Sequence, residues 1–150
     1  MVIKTAHIND IEKITDLGEE FVAESPSLSL LSYSRKEYQR FCTDLISSKI
    51  KYMVIAKDKE KVVGVVGGGL HNRIGSSDKY LSEYIFYVSP SARKSGTGRQ
   101  LMDKFCDWGR SQKVKVVEMG VTSDIDPKQA DKYMSNLGFK YMGANFYKEL

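Results

Sequence analysis

Apolar positions recur along this chain with two different periods, and each change of period outlines an element. Val2 to His7 reads as a strand. Asn9 with Glu12 predicts a helix start, and Ile11, Ile14, Leu17, Phe21 and Val22 fall on one face of a helix ending near Ser25-Pro26. Ser34 and Glu37 have the spacing of a capping box, and Tyr38, Phe41, Cys42, Leu45 and Ile46 follow at helical intervals. The β-branched runs Tyr52 to Ala56 and Val62 to Val66 predict two strands joined by the polar connection Lys57 to Lys61. Gly67-Gly68-Gly69 then either admits a ligand or another backbone closely or marks a strand end fraying into a loop over 71–79.

A fourth strand is predicted at Tyr84 to Val88, stopping before Pro90, and a helix from Gly98 to Gln112 presents Leu101, Met102, Phe105 and Trp108 on one side. Val114 to Val121 reads as a fifth strand. Asp126-Pro127 caps a short helix that stops at Gly138, and Tyr141 to Met142 with Phe146 to Lys148 predicts a closing hairpin. The order is β-α-α-β-β-β-α-β-α-β-β. No linker, repeat or low-complexity tract interrupts it, so one domain over residues 1–150 is expected.

Composition narrows the function classes. A chain of 150 residues with 41% hydrophobic and 28% charged positions is ordinary for a globular domain. No apolar stretch approaches the roughly 20 residues needed to cross a bilayer. Met1-Val-Ile-Lys-Thr lacks the layout of a signal peptide, so a cytoplasmic protein without a membrane partner is expected. The 23 basic residues exceed the 19 acidic ones only mildly and are dispersed, which permits an anionic ligand without arguing for nucleic acid. Cys42 and Cys106 lie on apolar helix faces without metal-type spacing and read as buried thiols. His7 and His71 have no partner that would make a triad or a metal site.

The richest segment is Tyr84 to Leu101, YIFYVSPSARKSGTGRQL. A strand leads through a basic, glycine-containing turn into a helix. Gly96 and Gly98 allow a tight turn with inward N–H groups, and the helix start adds orphan donors and the positive end of its dipole. Arg93, Lys94 and Arg99 bring side-chain charge to the same place, so a phosphate-bearing ligand is expected. The nucleotide P-loop and the dinucleotide fingerprint both fail, because Arg99 and Leu101 stand where a lysine and a third glycine would be required.

The remaining spacing, Arg93-x-x-Gly96-x-Gly98 after a strand ending at Val88, resembles motif A of the GNAT superfamily of N-acetyltransferases. Ala130 to Phe139 is similar to the second motif of that family, and the predicted element order matches over essentially the whole chain. The resemblance implies a single-domain α/β (α+β) GNAT fold with about four helices on a mixed, mostly antiparallel sheet of six to seven strands. It implies acetyl-coenzyme A as cosubstrate and no metal. The loop Arg93, Lys94, Ser95, Gly96, Thr97, Gly98 and Arg99 would hold its pyrophosphate, and Phe86, Tyr87 and Val88 its pantetheine arm.

In such relatives a glutamate on the fourth strand often deprotonates the acceptor amine, which implies Glu83 as base, and a backbone N–H near Val88 as oxyanion donor. Read from the residues alone, Glu83 is equally a solvated carboxylate, and strand parity sets it opposite Phe86 and Val88 unless a β-bulge intervenes. The tyrosine that serves the family as general acid aligns with Met134, which has no proton to donate. Tyr133, Tyr141 and Tyr147 are the candidate acids, each with a packing role as its alternative, and proton transfer through water remains a further route.

The acceptor is read as an amine, on a small molecule, peptide or protein. The resemblance places its groove between about Phe21 to Tyr38 and Tyr141 to Tyr147, where Glu19, Glu20 and Glu24 would attract a cation or merely form a solvated face. A monomer and a homodimer are both compatible. The alternative to an enzyme is a coenzyme-A-binding sensor or interaction module that has lost turnover, to which the departure at Met134 lends weight.

Overall fold

The computed structural model describes residues 1–150 throughout. Its regular elements are β1 (Val2–Thr5), α1 (Ile11–Glu24), α2 (Arg35–Ser47), β2 (Lys51–Asp58), β3 (Lys61–Asn72), β4 (Lys79–Val88), α3 (Thr97–Ser111), β5 (Val117–Glu118) and α4 (Pro127–Asn136). The strands form one mixed sheet in the order β1-β2-β3-β4-β5. All neighbours are antiparallel except β4 and β5, which are parallel.

Helices cover both faces. Ile14 and Leu17 of α1 and Cys42 and Leu45 of α2 pack on Met53, Ile55, Val62, Val65, Ile85 and Tyr87. Leu101, Met102 and Phe105 of α3 pack on Val54, Ala56, Val66 and Leu81 of the other face. This two-sided burial explains why β3 reads as the unbroken run Val62-Val63-Gly64-Val65-Val66 rather than as an alternation. Phe105 and Leu101 are fully buried, and each contributes about 1.5–3 kcal/mol through removal of apolar surface from water.

The helix starts follow local chemistry, with one change of residue. Ser34 Oγ accepts from the Glu37 N–H at 3.4 Å, while the Glu37 carboxylate turns to Arg40. Asp126 accepts from the Gln129 N–H at 3.1 Å with Pro127 in the first turn, and Gly138 closes the helix at φ 89°. At the first helix the cap is not formed by Asn9 and Glu12. His7 Nδ1 accepts from the Asn9 N–H at 3.4 Å, and the Asp10 carboxylate accepts from the His7 N–H at 3.0 Å and from Lys4 Nζ at 2.6 Å. The strand therefore ends at Thr5, not His7.

The sheet departs from expectation on its β4 side. Strand β4 begins at Lys79, five residues before Tyr84, because Leu70, His71 and Asn72 extend β3 and pair with Leu81, Tyr80 and Lys79. The three glycines do not fray. Gly67, Gly68 and Gly69 lie inside β3, paired on one side with Met53, Tyr52 and Lys51. A Cβ at Gly68 would collide with the Ser82 carbonyl oxygen, so it is another backbone that approaches here.

Strand β5 comprises two residues instead of Val114 to Val121. The closing hairpin is absent, which leaves five strands rather than six to seven. Tyr141 and Phe146 are 78% and 93% exposed, and the chain beyond Phe139 has no backbone hydrogen bond to a strand. A pleated, half-buried surface is what turns β propensity into a strand, and no such surface is offered to this segment.

Candidate functional site

Between Val88 and α3 the chain makes the predicted turn. Lys94 and Gly96 adopt φ of 64° and 80°, and Gly96 caps α3 in the left-handed region. The N–H groups of Lys94 to Arg99 take no hydrogen bond within the protein. Six consecutive donors beside the positive end of α3 form a concavity whose partial charge suits an anion. The Ser95 and Thr97 side chains serve the loop itself. Ser95 Oγ donates to the Ala92 carbonyl at 2.6 Å and meets the buried Thr97 Oγ1 at 2.7 Å.

A cavity of about 810 Å³ opens from this loop. Strands β4 and β5 pair only at Leu81 with Val117 and Ser82 with Glu118, so the β5-side edge of β4 beyond them has no strand neighbour. Phe86, Tyr87 and Val88 of that edge line the cavity with Arg93, Lys94, Gly96, Gly98 and Arg99. Eight of the ten residues expected to hold the cosubstrate thus share one cavity, and Ser95 and Thr97 do not line it.

Two of the three basic side chains are already engaged. The Arg93 guanidinium grips the Glu24 carboxylate through both nitrogens at 2.7 and 2.6 Å, while its Nε donates to the Val88 carbonyl at 2.9 Å. Tyr87 Oη donates to Glu24 at 2.7 Å. The bonds from Arg93 hold the Glu24 carboxyl below the usual carboxylate range despite partial burial. Arg99 donates to the Asn136 carbonyl at 2.9 Å, and Lys94 is exposed.

Glu83 does not line the cavity, but it lies on the α3 face of the sheet. The register shifts between β3 and β4, pairing Gly67 with Ile85 but Gly68 with Glu83, and Tyr84 is the extra residue. Parity is thereby reversed, so Glu83 shares a face with Phe86 and Val88 and not with Ile85 and Tyr87. Its carboxylate accepts from the Gly120 N–H at 3.4 Å, and burial pushes its pKa up to about 7 against that hydrogen bond.

Tyr133, and not Met134, reaches the cavity. Its ring stacks on Phe86 with centroids 6.3 Å apart, and a Cβ at Gly98 would strike its hydroxyl. Burial raises its pKa by disfavouring the phenolate. Tyr141 and Tyr147 are exposed in the final segment and line no part of the cavity.

The acidic residues expected to attract a cation all have partners. Glu19 pairs with Arg35 at 2.9 Å, Glu20 with Lys61 at 3.5 Å and with the Ser89 hydroxyl, and Glu24 with Arg93. His7 caps a turn, and His71 hydrogen-bonds Tyr84. Cys42 is buried, Cys106 only half-buried, and both are free. No helix is long and apolar enough to cross a membrane.

The far wall of the cavity was not anticipated. Val121, Ser123, Ile125, Asp126 and Gln129 form it, with Phe21 and Glu24 of α1 at one end. Ser25 Oγ donates to the Ser123 carbonyl at 2.5 Å, and Ser27 Oγ to the Thr122 carbonyl. These contacts join residues about a hundred positions apart, and nothing in the local pattern announces them.

The model of the family described as acetyltransferase (GNAT) family matches residues 15–139. No curated protein matches the chain. Among solved structures, apo aminoglycoside 6'-N-acetyltransferase AAC(6')-IG from Acinetobacter haemolyticus is similar with a TM-score of 0.78 and 15% identity, over 100% of this chain and 98% of that one. AAC(6')-Iy bound to a bisubstrate analogue has a TM-score of 0.80 at 16% identity, with 99% and 97% covered. A transcriptional regulator from Bacillus halodurans C-125 has a TM-score of 0.79 at 16% identity, with 99% of both chains covered. Likenesses at this identity concern the fold.

Proposed function

We propose that this chain, which belongs to the acetyltransferase (GNAT) family through its match over residues 15–139, is an acetyl-coenzyme-A-dependent N-acetyltransferase acting on a primary amine. The observation that carries the reading is the row of six unpaired N–H groups at Lys94 to Arg99, opening on the free edge of β4. The donors suit a pyrophosphate, and the unpaired edge Phe86 to Val88 suits an extended amide-bearing arm. Coenzyme A carries both. AAC(6')-Iy was solved with coenzyme A, which agrees with this assignment at the level of the fold.

When bound, acetyl-coenzyme A supplies an acetyl group activated as a thioester. The chain's own residues manage protons and position. An acceptor amine with a pKa near 10 is mostly protonated at neutral pH, so a base is required. Glu83, with its pKa raised to about 7, accepts that proton directly or through water, and the Gly120 N–H fixes one carboxylate oxygen. Tyr133 Oη, close to the helix start at Gly98, holds the proton that the departing thiolate needs. A backbone N–H near Val88 polarises the acetyl carbonyl.

A coenzyme-binding sensor without turnover drew its support from Met134. That support weakens with Tyr133 in the cavity, and the enzyme reading is preferred. An aminoglycoside acetyltransferase of similar fold was solved with sisomicin, so aminoglycosides belong in the first panel of amines.

Titration with acetyl-coenzyme A in a calorimeter, with ATP and NADH as controls, tests the cosubstrate. Thiol release with an amine panel then tests turnover. Selective micromolar binding with amine-dependent thiol release is the expected result. Equal binding of all three anions would overturn the reading.

A further inference from the structure

We infer that the segment Glu24 to Ser27, at the end of α1, is a clasp that sets the width of the cavity, with Glu24 and Ser25 as its positioning residues. The inference rests on the coenzyme reading and adds a means by which the cleft is held open at the right span. Glu24 reaches one wall. Its carboxylate takes both forks of Arg93 at 2.7 and 2.6 Å and the Tyr87 hydroxyl at 2.7 Å. Arg93 in turn donates to the Val88 carbonyl at 2.9 Å and stands over the Tyr87 ring at 5.6 Å. One carboxylate therefore fixes the last turn of α1 to the end of β4 and the first residue of the anion loop.

The next residues reach the opposite wall. Ser25 is 1% exposed, and its hydroxyl donates to the Ser123 carbonyl at 2.5 Å, while Ser27 donates to that of Thr122. Strands β4 and β5 separate after Ser82 and Glu118, so no sheet hydrogen bonds hold these walls together at the level of Val88 and Ser123. The clasp spans that gap. Bidentate pairing of Arg with a carboxylate fixes direction as well as distance, which a lysine or an amide does not reproduce. Arg93 accordingly positions the loop, and the phosphate charge is met by the N–H groups and Lys94.

The test compares wild type with Glu24→Gln, Ser25→Ala, Arg93→Gln and the double variant Glu24→Gln/Arg93→Gln in acetyl-coenzyme A calorimetry and steady-state kinetics, with Tm as a folding control. Each single variant should bind at least about fivefold more weakly and raise the KM for acetyl-coenzyme A by a similar factor. kcat at saturation should stay within about twofold. The double variant should be no weaker than the weaker single, since both changes break the same bond. If Glu24→Gln does not fold, Arg93→Lys, which keeps the charge and gives up the fork, carries the same comparison.

Binding by the variants equal to that of wild type would overturn the clasp while leaving the coenzyme reading intact. Additive losses in the double variant would also overturn it. Failure of wild type to bind acetyl-coenzyme A selectively would overturn both.

Discussion

Glu83 and Phe86 project from the same face of the sheet although three positions separate them, because Tyr84 is bulged out of register between Glu83 and Ile85. Without the bulge Glu83 would face α1 and α2 beside Tyr87. With it, the carboxylate lies on the α3 side, the side of the Phe86 and Tyr133 stack. Glu83→Gln should retain acetyl-coenzyme A binding and lower kcat/KM. The wild-type rate should rise with pH through about 7, where Glu83 loses its proton, and this limb should be missing from the variant's pH profile.

The same group ties stability to pH. Its folded pKa of about 7 stands above the 4.5 of an ordinary glutamate, so the folded state holds the proton more tightly. Stability from Glu83 is fully present below 4.5 and declines as pH rises toward 7, by about 3 kcal/mol in all. Urea unfolding at pH 4.5 and pH 8 should therefore show a smaller loss for Glu83→Gln than for wild type. Equal losses would place the carboxylate in water.

Tyr133→Phe keeps the ring on Phe86 and removes only the hydroxyl. kcat should fall about a hundredfold with the KM for acetyl-coenzyme A little changed. Met134→Leu, outside the cavity, should behave as wild type. An unchanged kcat in Tyr133→Phe would return the proton transfer to water.

Gly96→Asp places a carboxylate among the unpaired N–H groups at a left-handed position with φ 80°. Acetyl-coenzyme A affinity should drop more than tenfold, about 1.4 kcal/mol, in calorimetry on the folded variant. Unchanged affinity would show that the pyrophosphate does not sit on these N–H groups.

Gly68→Ala tests the close backbone approach that accompanies the bulge. The added Cβ collides with the Ser82 carbonyl oxygen and lies 2.9 Å from the Phe105 ring. A destabilisation of about 2 kcal/mol, or a fall of roughly 4 to 8 °C in Tm, is expected by thermal unfolding. Glu83 is paired with Gly68, so activity should fall even below the melting range.

Local chemistry was legible in the sequence. The helical faces of Ile14 and Leu17, of Cys42 and Leu45, and of Leu101 and Phe105 are the faces that bury. Ser34 and Asp126 with Pro127 cap the helices where their types predict, and Gly96 makes the expected tight turn. The turn into α3 was readable for the same reason, since a turn and a helix start are built from consecutive residues. The tertiary structure alone decided which side of the sheet Glu83 occupies, because one extra residue reverses every side chain before it. It also decided that Tyr141 to Lys148 forms no strand, that Tyr133 rather than Met134 enters the cavity, and that Glu24 meets Arg93 across 69 residues. Each of these depends on a partner distant along the chain, and periodicity carries no record of which partner a residue will meet.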